Sequence, residues 1–158
     1  MTEQKITPCL WFDFNAEEAV AHYLSIFPNS RILSTAHYGE SNPSSKGKVM
    51  TILFEIDGQR LLALNGGPHY KFTPALSLMV NCDDQAEIDL LWEKLAEGGK
   101  HVQCGWLTDK FGLSWQIVPR VLPELLGGDA KKTDRVMKAV MSMDKLDIAQ
   151  MEDAAASK

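Results

Sequence analysis

The side chains best suited to chemistry are few and lie late in the chain. Trp106, Trp115 and Gln116 fall on two extended segments, 101–107 and 113–118. An indole offers a flat apolar wall and one N–H donor, and a carboxamide offers both a donor and an acceptor. That mixture suits a small aromatic or carbonyl-bearing ligand, although a strand tryptophan serves equally well as packing. Cys104 lies beside them in Cys104-Gly105-Trp106. Its thiol could act as a nucleophile or in thiol transfer if a neighbouring cation lowered its pKa, and His101 and Lys110 are the near candidates. Without such a partner it is a buried, inert thiol. Asp109 and Gly112 frame a tight turn, where a carboxylate bonds backbone N–H groups.

Other chemistries lack their residues. The four histidines (22, 37, 69 and 101) include no i, i+4 pair and no H-x-H. The three cysteines (9, 82 and 104) have no C-x-x-C spacing, so a structural metal is not expected and reduced thiols are. The glycine pairs at 66–67, 98–99 and 127–128 lack the G-x-G-x-x-G context of a nucleotide or S-adenosylmethionine loop. No cofactor is expected. A net charge of −5 without a basic patch argues against nucleic acid. The start Met-Thr-Glu-Gln-Lys lacks an apolar leader and no run is long enough to span a bilayer, so no membrane partner is expected and the expected location is the cytoplasm.

The elements that must position these residues come as a repeat. Thr7-Pro8-Cys9-Leu10-Trp11-Phe12-Asp13-Phe14-Asn15 returns as Thr73-Pro74-Ala75-Leu76-Ser77-Leu78-Met79-Val80-Asn81. Each copy alternates as a half-buried strand does. Each leads into an amphipathic helix: Val20, Tyr23, Leu24 and Phe27 share the i, i+3, i+4, i+7 spacing of Ile88, Leu91, Trp92 and Leu95. The alternative is two unrelated strand–helix pairs that both open on Thr-Pro. Segments 31–38, 48–56 and 59–64 complete the first module, with a hairpin at Asp57-Gly58. Segments 101–107 and 113–118 follow the second helix. The modules span 6–66 and 72–119; two full modules of strand, helix and three strands make eight strands expected, one more than the segments named, and a helical tail covers 120–153. At 158 residues the whole fits one compact domain, 1–158.

Asn65-Gly66-Gly67-Pro68 and Cys104-Gly105-Trp106-Leu107-x-Asp109-x-Phe111-Gly112-x-x-Trp115-Gln116-Ile117-Val118-Pro119 resemble the PhnB-like group of the glyoxalase fold. That group belongs to the glyoxalase/bleomycin resistance/dioxygenase (vicinal oxygen chelate) superfamily and often carries the label 3-demethylubiquinone-9 3-methyltransferase. Asp84-Gln85-x-Glu87-x-Asp89-x-x-Trp92 and Met143-x-Lys145-x-Asp147-Ile148-Ala149 match it too. The resemblance implies an α+β fold of two βαβββ modules whose mixed sheets curl around a pocket, and a homodimer. Either Leu10, Phe12, Leu76 and Leu78, or Trp11, Ser77 and Met79, would then line that pocket. Metal-using members place ligands near the start of each module's first strand and on its last strand. Here those places hold Cys9, Ala75, Asn65 and Gln116, a set poor in imidazole and carboxylate. The expectation is therefore a metal-free protein binding a small organic ligand through Trp115, Gln116, Trp106, Cys104, Phe12 and Asn65. The alternatives are a metal-dependent lyase, isomerase or dioxygenase, a sequestering protein like the antibiotic-binding members, and the methyltransferase of the label.

Overall fold

A computed structural model describes residues 3–157 as two compact units that divide between Lys71 and Phe72. In the first unit β1 (Cys9–Phe12) leads into α1 (Ala16–Ile26), then β2 (Ser30–His37), β3 (Val49–Ile56) and β4 (Gln59–Asn65). The sheet order is β1-β4-β3-β2, with β1 parallel to β4 and the other pairs antiparallel. The β3–β4 hairpin turns at Asp57 and Gly58, both with positive φ, as a tight two-residue connection requires.

Strand alternation decides what lies under α1. Leu10, Phe12, Ile52, Phe54, Leu61 and Ala63 are buried on one face, with Ala16, Ala19, Val20 and Tyr23 of α1. Tyr23 stacks on Phe54 at 6.5 Å between ring centroids. Burying each of the large side chains contributes about 1.5–3 kcal/mol. The opposite face carries Trp11, Leu64 and Thr51 in one cross-strand row.

The second unit repeats the plan with β5 (Ser77–Cys82), α2 (Gln85–Ala96), β6 (Lys100–His101), β7 (Trp106–Thr108) and β8 (Ser114–Pro119), in the order β5-β8-β7-β6. Asp84 caps α2 by accepting from Glu87 N–H at 2.9 Å, and Glu87 reaches back to Asp83 N–H at 2.7 Å. The core holds Cys82, Ile88, Leu91, Trp92, Leu95, Leu107, Trp115 and Ile117. Gly99 is required where α2 returns to the sheet, since a Cβ there would meet Thr108 O at 2.0 Å.

Three boundaries differ from the alternation. The strand expected from residue 72 begins only at Ser77, because Leu76 N–H and Ala75 N–H turn back onto Thr73. The single strand expected over 101–107 is two short ones, β6 and β7, split by a turn at Cys104-Gly105 where φ is positive at both residues. The helical tail expected over 120–153 is interrupted, and its second helix starts at Ala130, because Asp129 accepts from Lys131 N–H and caps it.

Beyond β8 the tail forms α3 (Leu122–Leu126), α4 (Ala130–Met141) and α5 (Ile148–Ala156). Val118, Leu125, Val136, Val140, Met143, Leu146 and Met151 make its core. Arg135 ties α4 to the end of α5 through Ala154 O and Ala155 O. Among the described residues no helix is long and apolar enough to cross a membrane. The described residues form an α+β fold, with two four-stranded mixed sheets and five helices.

Candidate functional site

The face of the second sheet opposite α2 gathers Met79, Gln116 and Trp106. Met79 pairs with Gln116 and Gln116 with Trp106, so the three stand in one row across β5, β8 and β7. Ser77 and Thr108 share this face by alternation. Gln116 Nε2 donates to Ser77 Oγ at 2.9 Å, which aims the carboxamide along the sheet and leaves its oxygen as an acceptor. Gln116 and Trp106 are half-buried and Met79 is 53% exposed. Polar groups held by one bond between an indole and a thioether can meet a flat ligand with a polar edge.

Trp115 faces the other way. It is 2% exposed within the α2-side core, and its Nε1–H donates to Asp109 Oδ2 at 2.9 Å. Asp109 Oδ1 also accepts from Phe111 N–H and Leu113 N–H at 2.9 and 3.0 Å. The Asp109 carboxylate thus closes the turn that its sequence position implies, and it orients the tryptophan. Phe12, also 2% exposed, packs in the core beneath α1. Leu10 and Leu78 share the helix-side register of their sheets, whereas Trp11, Ser77 and Met79 belong to the open faces. Trp11 is fixed there by its Nε1–H bond to Gly67 O at 2.8 Å and by an edge contact with Tyr70 at 4.9 Å.

Asn65, 1% exposed, ends β4 with its amide fully engaged. Its Oδ1 accepts from Ala16 N–H at 3.0 Å, and Nδ2 donates to Val49 O at 3.0 Å and Glu17 Oε1 at 2.6 Å. It caps α1 from across the sheet, since Asn15 makes no side-chain cap bond. Cys104 lies in the turn before β7 rather than on a strand, half-buried against the tail core. His101 is committed to α2: its ring stacks on Trp92 at 4.4 Å and Nε2 lies 3.1 Å from Trp92 O. Lys110 sits over the Phe111 ring. Burial pushes the Cys82 thiol up to about 12, with Glu87, Asp83 and Asp84 adding to it and Arg120 opposing, and partial burial raises Cys9. Neither thiol is activated as a nucleophile, since both shifts run away from the thiolate.

The places where metal-using members of the fold carry ligands hold Cys9, Ala75, Asn65 and Gln116. Asn65 spends its amide on α1, Ala75 has no donor, and Cys9 carries a raised thiol. No three His, Cys, Asp or Glu side chains converge to hold an ion among the described residues. This donor set does not fit a divalent cation. Ser77, the partner of Gln116, is the residue that sequence reasoning undervalued. Its signal was the alternation, which sets it two residues before Met79 on the same face.

The sequence model of the family described as 3-demethylubiquinone-9 3-methyltransferase matches residues 4–118. A PhnB protein of Bacillus cereus, provisionally given the same description, is 38% identical, with a TM-score of 0.67 over 73% of this chain and 99% of its own. The Pseudomonas aeruginosa protein PA1353 is 24% identical, with a TM-score of 0.62 over 74% and 98%. The fosfomycin resistance protein FosX of Listeria monocytogenes, in a complex with Mn(II) and sulfate, shares the fold at 15% identity and a TM-score of 0.52, over 84% and 96%. No curated protein matches the chain. With the two strand–helix–strands units and the matched span of residues 4–118 together, the chain belongs to the family described as 3-demethylubiquinone-9 3-methyltransferase, the PhnB-like group of the glyoxalase fold.

Proposed function

We propose that this protein binds a small organic molecule on the open face of the second sheet, without a divalent metal. The observation that carries the reading is the Met79–Gln116–Trp106 row with Ser77 holding the Gln116 amide. Trp106 supplies a ring to stack against, Met79 an adaptable apolar contact, and the Gln116 oxygen an acceptor for a ligand O–H or N–H. Such a face suits phenols, amides and hydroxylated quinones better than anions, because no Lys or Arg stands in the row. Of the residues expected at the site, Gln116 and Trp106 act in contact; Trp115, Phe12, Asn65 and Cys104 act by shaping the sheets beneath.

The reading treats the two units and the tail as one glyoxalase-like domain acting in the cytoplasm, in keeping with three free thiols. It takes the working form to be a homodimer, supported by the exposed Met137 and Met141 on α4. Mn(II), present in the FosX complex, has no counterpart in this reading, since the donor set here does not fit a divalent ion. The glycine pairs speak against methyl transfer: Gly66-Gly67 follows β4, Gly98-Gly99 follows α2, and Gly127-Gly128 separates α3 from α4. None joins a strand to the start of a helix as a S-adenosylmethionine loop does.

The test is a binding screen by ligand-observed NMR with phenol, benzamide and hydroxybenzoquinone probes against the wild type, Gln116→Ala and Trp106→Ala. Binding by the wild type that weakens at least tenfold in both variants supports the reading. Equal binding by all three proteins contradicts it.

A further inference from the structure

Trp106 enters β7 from a turn of uncommon backbone. Val102 N–H donates to Trp106 O at 2.8 Å, and between them Cys104 and Gly105 have φ of 62° and 81°. Gly105 is obligatory, since a Cβ there would lie 2.9 Å from Ile117 O and 3.0 Å from the Leu146 side chain. Cys104 lacks that freedom, and a left-handed residue with a side chain persists only where its surroundings hold it. Here the tail holds it. Cys104 N–H donates to Met143 O at 2.9 Å and Gly105 N–H to Asp144 O at 2.8 Å.

The same tail segment is fastened to the start of α2. Gln85 Nε2 donates to Leu146 O at 3.0 Å, Ile148 N–H donates to Gln85 Oε1 at 2.9 Å, and Lys145 Nζ lies 2.9 Å from Asp89 Oδ1. Leu146 is 1% exposed. The family match ends at residue 118, and the Bacillus cereus relative is spanned to 99% of its length by 73% of this chain. The strap itself therefore lies beyond the span that the family model matches.

We propose that residues 143–148 form a strap that fixes the Gln103–Gly105 turn and so sets Trp106 on the open face, making tail docking the control on what that face accepts. Control of recognition rests on the ligand reading above; the mechanical role of the strap does not. Undocking would free two backbone donors and relax Cys104 out of the left-handed region, and Trp106 would move with the turn.

Amide hydrogen exchange by NMR on the full chain tests this, comparing the wild type with Gln85→Ala and Leu146→Ala. Gln85 is half-buried, so its truncation removes its two bonds to the strap without opening the core, and leaves the Lys145–Asp89 contact. The expected result is at least tenfold faster exchange at Cys104 and Gly105 in Gln85→Ala, with the second half of α2 and β3 unchanged. The Trp106 indole resonance, assigned through Trp106→Phe, should shift while that of Trp11 stays. Unchanged exchange at Cys104 and Gly105, or faster exchange with a stationary Trp106 resonance, overturns the proposal. So does uniform acceleration across the second unit in Leu146→Ala, since the strap would not then be a separable element. Exchange reads the strap and probe binding reads the ligand face, so failure of one is distinguishable from failure of the other.

Discussion

Replacing Asp109 by alanine probes the most heavily used carboxylate in the second unit. Its two oxygens accept three N–H groups, of which the Leu113 amide and the Trp115 indole are buried. Leaving a buried donor unsatisfied costs about 1–3 kcal/mol. Two such donors give about 2–6 kcal/mol, and some relaxation toward the half-buried Phe111 brings the expected loss to about 3 kcal/mol. With a urea slope of about 2 kcal/mol per molar, the unfolding midpoint should fall by about 1.5 M. Asp109→Asn keeps one acceptor oxygen but sets an N–H against an N–H, so its loss should be about half as large. Equilibrium urea unfolding followed by circular dichroism reads both. A loss below about 1 kcal/mol for Asp109→Ala would refute the claim that this carboxylate holds the turn and the indole.

Other expectations test separate parts of the account. Asn65→Ala should destabilise the first unit by about 2 kcal/mol, since it uncaps α1 and strands Ala16 N–H, and faster amide exchange at the start of α1 checks it. Gln116→Ala and Trp106→Ala, at half-buried positions, should lose probe binding while changing stability by no more than about 1 kcal/mol. The folded Cys82 pKa is raised from 9.0 to about 12, so the folded state holds this proton more tightly than the unfolded chain. Its contribution is fully present below pH 9 and is lost as pH rises toward 12; Cys82→Ala should flatten that alkaline decline in thermal unfolding. In native protein at about pH 8 a thiol reagent should modify exposed Cys9 and spare Cys82 until denaturant is added.

The repeat was legible because strand letters and helix phase recurred together, and both helices form where that phase places them. Which strand face would bind was not legible. A period of two sorts residues into two sets but does not say which set a helix will cover. Leu10 and Phe12 lie under α1, which leaves Trp11 on the open face; Trp115 and Gln116 are neighbours in sequence and point to opposite sides. The Asp109 turn could be read from Asp-x-x-Gly, because its partners are local. The strap could not, because it acts through the carbonyl oxygens of Met143 and Asp144, which every residue type possesses. Asn65 hid its role for a related reason: it caps a helix 49 residues earlier in the chain.

The claim at the centre is a ligand face that works without a divalent ion, and elemental mass spectrometry tests it directly on protein purified without chelator or histidine tag. The account predicts nickel, zinc, iron and manganese each far below one equivalent per chain, and no gain in thermal stability when they are added. One equivalent of any of them, retained through purification, would contradict it and point to ligands among Cys9, His69, His101 and Gln116.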